Sequence, residues 1–583
     1  MLDDSTEKER LMNLQRRNTY GHTLAVLLVL LVSFLFFVFN DTPITSTASQ
    51  LLLSQLNTTE QKLSCAAKVY GICDPHDPRF YNIILEEEAL RFEPCQDINK
   101  TASVQHSKLT LKDRVNRTYN IGEEIIALVK LYNGYGKRKH SGGDHLRATL
   151  ENKKHKASVP CVVTDNRDGT QTVACESLWT GTATINVLLA YTRETITSIY
   201  RIRTQVLATR NIYGMFRCRT YSAQISYSED TICHPNHTYL LKLTNYTELC
   251  NMTYINSGMP FYCGKPKDEH LLCQDLELVR TRQPFPELPV TECEDTLLKS
   301  GQRALKQTLT VNVQNSNGND SVSIIDKPSV PCSEYNIALL WQSGQPTGFF
   351  YNGEWILRNC LGFHENRYMN CLRNKRLYLF GDSTNRQWYT AIMKRFKCPS
   401  VTEKWDFEKW HKDAECYNKR INFKAGWYPH AQPFYVGEFW DDAKYTLYSI
   451  SRRIDNIPRT EHAIVIIHCY LHFVSFHHSV FKQRIEIIRN TVEMFLANNK
   501  HSIVMIKAPH TFEDSSAGRL RINDYFGYVY SKILYEEFEG LHDRVVLLNN
   551  RDTTIAQHVK WNHPPDNVVN AMIDQMLSFA CDR

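Results

Sequence analysis

The stretch that most constrains the fold runs from an apolar strand through a tight turn into a helix: Leu377-Tyr-Leu-Phe-Gly-Asp-Ser-Thr-Asn-Arg-Gln-Trp388. Its first four residues are apolar or aromatic, as a buried strand requires. Gly381 allows a sharp turn where a side chain would clash, and Asp382 or Ser383 can cap the helix that follows. We therefore expect the Ser383 hydroxyl at the carboxyl end of a strand, beside the free N–H groups of a helix N-terminus.

This junction suits two roles for Ser383. Hydrolytic α/β folds place a nucleophilic hydroxyl there, because the free N–H groups can hold a developing oxyanion. An ordinary helix-capping serine has the same sequence context, so Gly-Asp-Ser alone does not separate the two roles.

The chain after Cys332 alternates predicted strands and helices. The predicted strands are 376–380, 463–467, 502–507 and 544–548, and the predicted helices are 479–498, 524–538 and 567–580. This alternation predicts a parallel sheet with helices on both faces. Ser383, His472 and His563 all follow predicted strands, so we expect them to converge at the carboxyl edge of that sheet.

An earlier part of the chain has the pattern of an antiparallel β-sandwich. Alternating runs such as Glu124-Ile-Ile-Ala-Leu-Val-Lys-Leu131 and Thr184-Ile-Asn-Val-Leu-Leu-Ala-Tyr191 are separated by Asn-Gly, Gly-Gly and Asp-Gly turn signals. Their spacing is typical of an immunoglobulin-like sandwich. Cys161 and Cys175 flank one predicted hairpin and can bridge it.

At 583 residues the chain is too long for one core. Its 18 cysteines include no Cys-x-x-Cys pair, which favours disulfides over a zinc module or a redox motif. We predict six segments: a cytosolic tail (1–22), a membrane anchor (23–39), a stem (40–106), the sandwich (107–210), a Cys-rich connector (211–330) and the α/β domain (331–583).

The segment from Thr23 to Phe39 contains 17 uncharged, mostly apolar residues. Arg16 and Arg17 precede it and the next basic residue is Lys62, so the positive-inside rule predicts a type II anchor with a lumenal remainder. Its short length suits an ER or Golgi bilayer. A cleaved signal peptide and secretion are the alternative.

A lumenal location has independent support in Asn-x-Ser/Thr sequons, which accept N-linked glycans. They lie at Asn57, Asn99, Asn116, Asn236, Asn245, Asn251 and Asn319.

Charge and histidine content favour no nucleic-acid or metal partner. The formal net charge is only +6, with no basic stripe interleaved with aromatic residues. The nearby His472, His477 and His478 are interpreted as part of a packed or solvated loop, and we predict no metal and no bound cofactor.

Several motifs resemble those of the neurexophilin and PC-esterase domain family. In the sandwich they are Ser141-Gly-Gly-Asp-His-Leu-Arg-Ala148, Val163-Thr-Asp-Asn-Arg-Asp-Gly-Thr170 and Leu178-Trp-Thr-Gly-Thr182. In the later half they are Gly381-Asp-Ser-Thr-Asn-Arg-Gln-Trp388 and His563-Pro-Pro-Asp-Asn-Val-Val569. The later half is similar to SGNH-type hydrolases and glycan O-acetyltransferases, including those that modify sialic acid.

The resemblance implies roles for individual residues. Ser383 corresponds to the nucleophile and His563 to the general base, while Gly381, Asp382 and Arg386 support the turn or the oxyanion site. An acetyl donor such as acetyl-CoA would then be a substrate. Read without the motif, His563 is a loop histidine packed against its neighbour Trp561.

Two positions depart from the family pattern. The residue three before the base is Lys560 rather than the aspartate that orients the imidazole, which leaves Asp552, Asp566 or a backbone carbonyl as candidate acceptors. The oxyanion-site glycine is replaced by Tyr470, while His472 keeps its place as a polar donor.

Two hypotheses follow. The first is a lumenal enzyme that moves an acetyl group on or off a glycan or glycoprotein. The second is a catalytically impaired, neurexophilin-like glycoprotein whose sandwich binds a partner protein or glycan.

Overall fold

The computed structural model describes residues 83–581 except for eight segments: 114–116, 220–225, 282–286, 316–323, 363–367, 403–411, 434–447 and 515–517. The predicted tail, anchor and most of the stem lie outside the described residues, as do the sequons at Asn57, Asn116 and Asn319. Within the described ranges, none of the helices combines the length and the apolar character needed to cross a bilayer.

The described residues form short strands in the first half and alternating strands and helices in the second. The strands are β1 (Lys108–Leu111), β2 (Thr118–Asn120), β3 (Glu124–Lys130), β4 (His145–Asn152), β5 (Ala157–Asp165), β6 (Thr170–Glu176), β7 (Gly181–Tyr191), β8 (Ile212–Arg219), β9 (Ser226–His234), β10 (Leu249–Asn251), β11 (Tyr262–Gly264), β12 (Leu276–Thr281), β13 (Arg303–Ala304), β14 (Leu309–Gln314), β15 (Gly348–Tyr351), β16 (Glu354–Leu357), β17 (Arg376–Gly381), β18 (Ala414–Asn418), β19 (Phe423–Pro429), β20 (Ala463–His468), β21 (Ile503–Lys507) and β22 (Val545–Leu548). The helices are α1 (Glu86–Ala89), α2 (Arg193–Gln205), α3 (His237–Leu243), α4 (Glu292–Lys299), α5 (Ala338–Gln342), α6 (Tyr368–Cys371), α7 (Ser383–Arg395), α8 (Ile450–Asp455), α9 (His478–Asn498), α10 (Tyr525–Glu537), α11 (Arg551–Ala556) and α12 (Asp566–Ala580).

The first sheet has eleven strands, with the main order β1-β3-β6-β5-β4-β7-β14-β2. Strand β5 is shared between two layers, because Ala157–Cys161 pairs with β4 whereas Val162–Asp165 pairs with β6. Side chains alternate between core and surface, as a strand period of two requires. Ile125, Val173 and Ile185, from three different strands, are buried in one core.

The sheet extends beyond the boundaries predicted for the sandwich. Strand β14 lies in the predicted connector, yet it pairs with β7, and β15 lies in the predicted α/β domain, yet it bridges to β5. Part of the predicted stem is also packed onto the fold, because the Ile84 backbone bonds to the hydroxyls of Tyr200 and Tyr525. Short strands show their alternation in the sequence but not their partners, so the sequence alone did not show these pairings.

The predicted connector contains a sheet of its own, with five antiparallel strands in the order β10-β11-β9-β8-β12. Two disulfides, Cys233–Cys263 and Cys250–Cys273, link its parts. The disulfides of this segment were predicted, whereas its strands were not.

Seven disulfides join described cysteines, including the predicted Cys161–Cys175 link across the β5–β6 hairpin. The others are Cys95–Cys293, Cys233–Cys263, Cys250–Cys273, Cys332–Cys360, Cys371–Cys581 and Cys398–Cys416. Cys218 and Cys469 are free thiols.

The third sheet has six strands in the order β18-β19-β17-β20-β21-β22, all parallel except for the edge strand β18. Helices cover both faces: α9 and α10 share a core with one face, and α7 and α12 share a core with the other. The strands and helices predicted after Cys332 agree with the structure to within one or two residues, although β18 and β19 were not predicted.

Candidate active site

The predicted strand–turn–helix junction is present in the middle of the parallel sheet. Strand β17 lies between β19 and β20 and ends at Gly381, and α7 begins at Ser383. The Ser383 Oγ lies 2.8 Å from Nε2 of His563, which precedes α12. The fold therefore brings together two side chains that are 180 residues apart in the chain.

Gly381 is required by the close approach of the neighbouring strand. Its φ is +144°, and a Cβ at this position would lie 1.9 Å from the carbonyl oxygen of His468 in β20. A side chain here would force the two central strands apart, so only glycine fits the turn.

Asp382 is a fully buried N-cap of α7. Its Oδ1 accepts hydrogen bonds from the Thr384 backbone N–H and hydroxyl, at 2.9 and 2.7 Å. Its Oδ2 lies 3.6 Å from Nε2 of His468. Burial by itself would raise the pKa of Asp382, but His468, His472 and Lys507 outweigh it and hold that pKa well below its ordinary value.

Lys507, the last residue of β21, is buried next to this cap. Its Nζ donates a 2.9 Å hydrogen bond to Thr384 Oγ1 and lies 4.7 Å from the ring centre of Trp388. Burial lowers the pKa of Lys507 to about 7, against the opposing effect of the Asp382 charge. The Lys507 amine is thus held beside the start of α7, next to the residue that follows Ser383.

Two hydrogen bonds to the backbone hold the loop that carries His563. His510 donates from Nε2 to the Asn562 carbonyl at 2.9 Å, and Gln387 donates from its amide to the Pro564 carbonyl at 3.1 Å. The residues on both sides of His563 are therefore tied to the sheet edge and to α7.

The pKa of His563 is lowered. Although part of its ring reaches solvent, the protein packed around it disfavours the charged form, and Arg386 and Lys507 act in the same direction. The Asp382 charge opposes them. A neutral imidazole with Nε2 facing Ser383 Oγ is the form that can accept the serine proton.

The predicted orienting carboxylates do not reach His563. Asp552 accepts from the Thr347 backbone N–H and hydroxyl and from Asn549, at 2.8 to 3.0 Å, and is committed to those groups. Within the described part of the chain, no hydrogen bond joins Asp566 or any other acceptor to Nδ1 of His563. Among the described residues, the site therefore has a Ser–His pair without the third member that orients the imidazole in a triad.

The two supporting residues predicted after β20 have different surroundings. Tyr470 is fully buried, with its ring centre 5.5 Å from that of His510 and 6.4 Å from that of Tyr530, so its bulk fills the core beneath α10. His472 lies at the sheet edge, where its Nδ1 is 2.8 Å from Nε2 of His430.

The proton positions on this histidine pair follow from one carbonyl. Nδ1 of His430 donates a 2.7 Å hydrogen bond to the Ala431 carbonyl oxygen. Burial lowers the pKa of His430 to about 4, so its ring is neutral. Its Nε2 then accepts from Nδ1 of His472. Nδ1 of His472, a polar donor predicted from the sequence, therefore donates to His430.

A groove of about 980 Å³ lies between α7 and α12. Arg386, Lys394 and Arg395 line it from α7, and Asp566 and Asp574 line it from α12. The guanidinium of Arg386 lies 5.7 Å from the ring centre of Trp427, so it is held at the end of the groove where α7 begins.

Sequence reasoning missed four buried residues of this site: His430, His468, Lys507 and His510. All four sit at or just beyond the carboxyl end of a parallel strand. A polar residue closing an otherwise apolar strand is the signal that would have found Lys507 and His468.

Comparison with known protein families gives a match in the second half of the chain. Residues 355–581 match the family model described as "NXPE family member 4-like, C-terminal domain". The chain is also similar to a crystal structure of the Lin-41 filamin domain, at 14% identity over 15% of this chain and 80% of that chain, with a TM-score of 0.13, too low to bear on the fold. Residues 355–581 are therefore similar to the C-terminal domain of NXPE family member 4-like proteins.

Proposed function

We propose that this protein is a lumenal acyltransferase or esterase that moves an acetyl group on or off a glycan. Ser383 is the nucleophile and His563 the general base. The observation that carries the proposal is the 2.8 Å contact between Ser383 Oγ and His563 Nε2 at the start of α7.

The strand order supports an SGNH-type domain. The parallel strands lie in the order β19-β17-β20-β21-β22, which is 2-1-3-4-5 in chain order, as in flavodoxin-like sheets. Ligands of such sheets bind outside the carboxyl ends of the strands, which is where Ser383 lies.

The first sheet supports an immunoglobulin-like sandwich. The strands β1-β3-β6-β5 and β4-β7-β14 correspond in chain order to the ABED and CFG sheets of an immunoglobulin domain. Residues 193–304 are then an insertion between the last two strands of the sandwich.

The proposed reaction follows the two-step course of acyl transfer. Ser383 Oγ attacks the acyl carbonyl while His563 Nε2 takes the hydroxyl proton. The tetrahedral intermediate expels the donor group, which takes the proton from His563 and leaves an acetyl ester on Ser383. A sugar hydroxyl or water then attacks this ester with the same proton relay, which regenerates the serine.

The N-terminus of α7 contributes to this reaction. The Ser383 N–H is among the first four amides of the helix, which have no intrahelical acceptor. We assign it as one donor to the oxyanion, and the positive end of the helix dipole favours the same charge.

One observation favours the second candidate, a catalytically impaired glycoprotein that acts through its sandwich. The Nδ1 of His563 has no acceptor among the described residues, and loss of the orienting carboxylate in a triad costs about 10⁴-fold in rate. Partner binding by the sandwich without acyl transfer would follow from such a loss.

Covalent labelling separates the two candidates. The purified chain should react with a serine-directed fluorophosphonate, and cells expressing it should gain acetylated glycans. Ser383→Ala and His563→Ala should abolish both signals, whereas Ser400→Ala, which changes an exposed serine, should keep both. Glycan acetylation that persists at the wild-type level in Ser383→Ala would exclude the mechanism.

A further inference from the structure

Three side chains with metal-ligating atoms meet between the N-terminal segment and the start of α9. His477 Nε2 lies 2.8 Å from Glu86 Oε2 and 3.0 Å from Glu86 Oε1. His478 Nε2 lies 3.6 Å from the same Oε2. One ligand atom from each residue lies within 4.8 Å of the other two.

We infer that Glu86, His477 and His478 form a binding site for a zinc-type divalent cation. Two imidazoles and a carboxylate are a common zinc ligand set, with bonds of about 2.0–2.2 Å. At a tetrahedral angle, two such ligand atoms lie about 3.3 Å apart. The separations of 2.8 and 3.6 Å lie on either side of that value.

A simpler explanation for the contact between His477 and Glu86 is a hydrogen-bonded ion pair. The surroundings of His478 distinguish that ion pair from a cation site. The His478 side chain makes no hydrogen bond to any described residue, and its Nδ1 is buried. At 3.6 Å its Nε2 is too far from the carboxylate for a hydrogen bond. A shared cation accounts for a second imidazole aimed at the same carboxylate oxygen.

Neighbouring groups hold both rings in place. The Tyr239 ring lies 5.2 Å from that of His477, and the Tyr200 ring meets that of His478 edge-on at 6.1 Å. Ser479 Oγ lies 2.7 Å from Nδ1 of His477. The Ser479 backbone N–H donates a 3.2 Å hydrogen bond to the same Nδ1, which is the N-cap contact of α9.

The position of the site indicates its role. Glu86 belongs to α1, whereas both histidines stand at the N-terminal end of α9, about 390 residues later. A cation bound here would link the segment around α1 to the α/β domain. With three protein ligands, the fourth position is left for water.

The test is cation binding by the full chain after treatment with a chelator. Titration with Co²⁺ should give the visible absorption of a tetrahedral site at one equivalent, and Zn²⁺ should displace it. Zn²⁺ should also raise the unfolding temperature. Glu86→Gln and His478→Ala should each weaken binding by at least the roughly 10–100-fold that loss of an outer-shell partner causes.

The controls make the outcome decisive. His501→Ala removes a histidine from another stacked pair, with His462 at 5.2 Å, and should leave binding unchanged. Glu86→Gln is nearly isosteric and keeps a hydrogen-bond acceptor for His477, so circular dichroism should show an intact fold. A wild-type chain that takes up no Co²⁺, or variants that bind as tightly as the wild type, would overturn the inference.

Discussion

Lys507 Nζ donates a 2.9 Å hydrogen bond to the hydroxyl of Thr384, the residue that follows the candidate nucleophile. Thr384 in turn donates to Asp382 Oδ1 at 2.7 Å, so the hydroxyl links a buried ammonium to a buried carboxylate. This relay holds the N-terminus of α7 from within the protein. Asp382 and Thr384 lie at the start of α7, and Lys507 is the last residue of β21.

Lys507→Met should destabilise the protein, because Thr384 loses its donor and the Asp382 charge loses a compensating cation. We expect a loss of about 1–3 kcal/mol in the free energy of unfolding, measured by chemical denaturation. Lys532→Met is the matched control, since among the described residues Lys532 pairs only with Glu536 on the face of α10, and its loss should cost less than about 1 kcal/mol. Equal effects of the two substitutions would contradict the relay.

Acyl transfer should keep its rate down to a lower pH than it would with a histidine base of ordinary pKa. His563 accepts a proton only when neutral, and its surroundings lower its pKa. The acidic limb of kcat/KM should therefore lie below about 6.5, the ordinary histidine pKa. Because Lys507 contributes to that lowering, Lys507→Met should move the limb to higher pH. A wild-type limb above the ordinary value would refute the assignment of His563.

Lys560→Asp should raise the rate of acyl transfer. The structure shows no acceptor at Nδ1 of His563 within the described residues, contrary to a site rebuilt around Asp552 or Asp566. A carboxylate three residues before His563 restores the orienting group of the family pattern. Such a group contributes about 10⁴-fold to the rate in a triad, and we expect Lys560→Asp to raise the acyl-transfer rate by at least about tenfold.

Asp552→Asn is the control for that experiment. Asp552 is bonded to Thr347 and Asn549, so its substitution should lower stability without a specific effect on the pH–rate profile. A lower acyl-transfer rate in Lys560→Asp, or a shifted pH–rate profile in Asp552→Asn, would instead support a site in which Asp552 or Asp566 orients His563.

Gly381→Ala should abolish acyl transfer and destabilise the α/β domain. The added Cβ would lie 1.9 Å from the His468 carbonyl oxygen, at a φ of +144° that L-residues avoid. Thermal unfolding and fluorophosphonate labelling measure the two effects. Gly540→Ala also changes a glycine with positive φ, but its Cβ would meet nothing within 4 Å. It therefore measures the loss of stability from backbone strain without a steric clash.

Arg147→Met should break a buried ion pair between the first sheet and the α/β domain. Arg147 Nη2 lies 2.7 Å from Asp524 Oδ2, and Asp524 also accepts from the Tyr191 hydroxyl at 2.6 Å. Leaving the carboxylate unpaired should cost about 3–5 kcal/mol in chemical denaturation. The double variant with Asp524→Asn should lose less than the sum of the single losses, because the residues share one network. Additive losses would contradict the coupling.

Much of the α/β domain could be predicted from local pattern. Apolar runs such as 463–467 identify central strands, and Gly381 followed by Asp382 and Ser383 identifies the turn and the cap, because these features depend on the chain's immediate neighbours. The motif around His563 supplied the second member of the pair through resemblance.

The partners of these elements depend on the tertiary structure. The sequence did not show that β14 returns to β7, or that Asp552 holds Thr347 instead of His563, because such pairings join residues far apart in the chain. Lys507 closed a predicted strand and His468 directly followed one, and neither was assigned a role from the sequence. Only the packing of parallel strands places their polar termini around one buried carboxylate, where the low dielectric makes each charge matter.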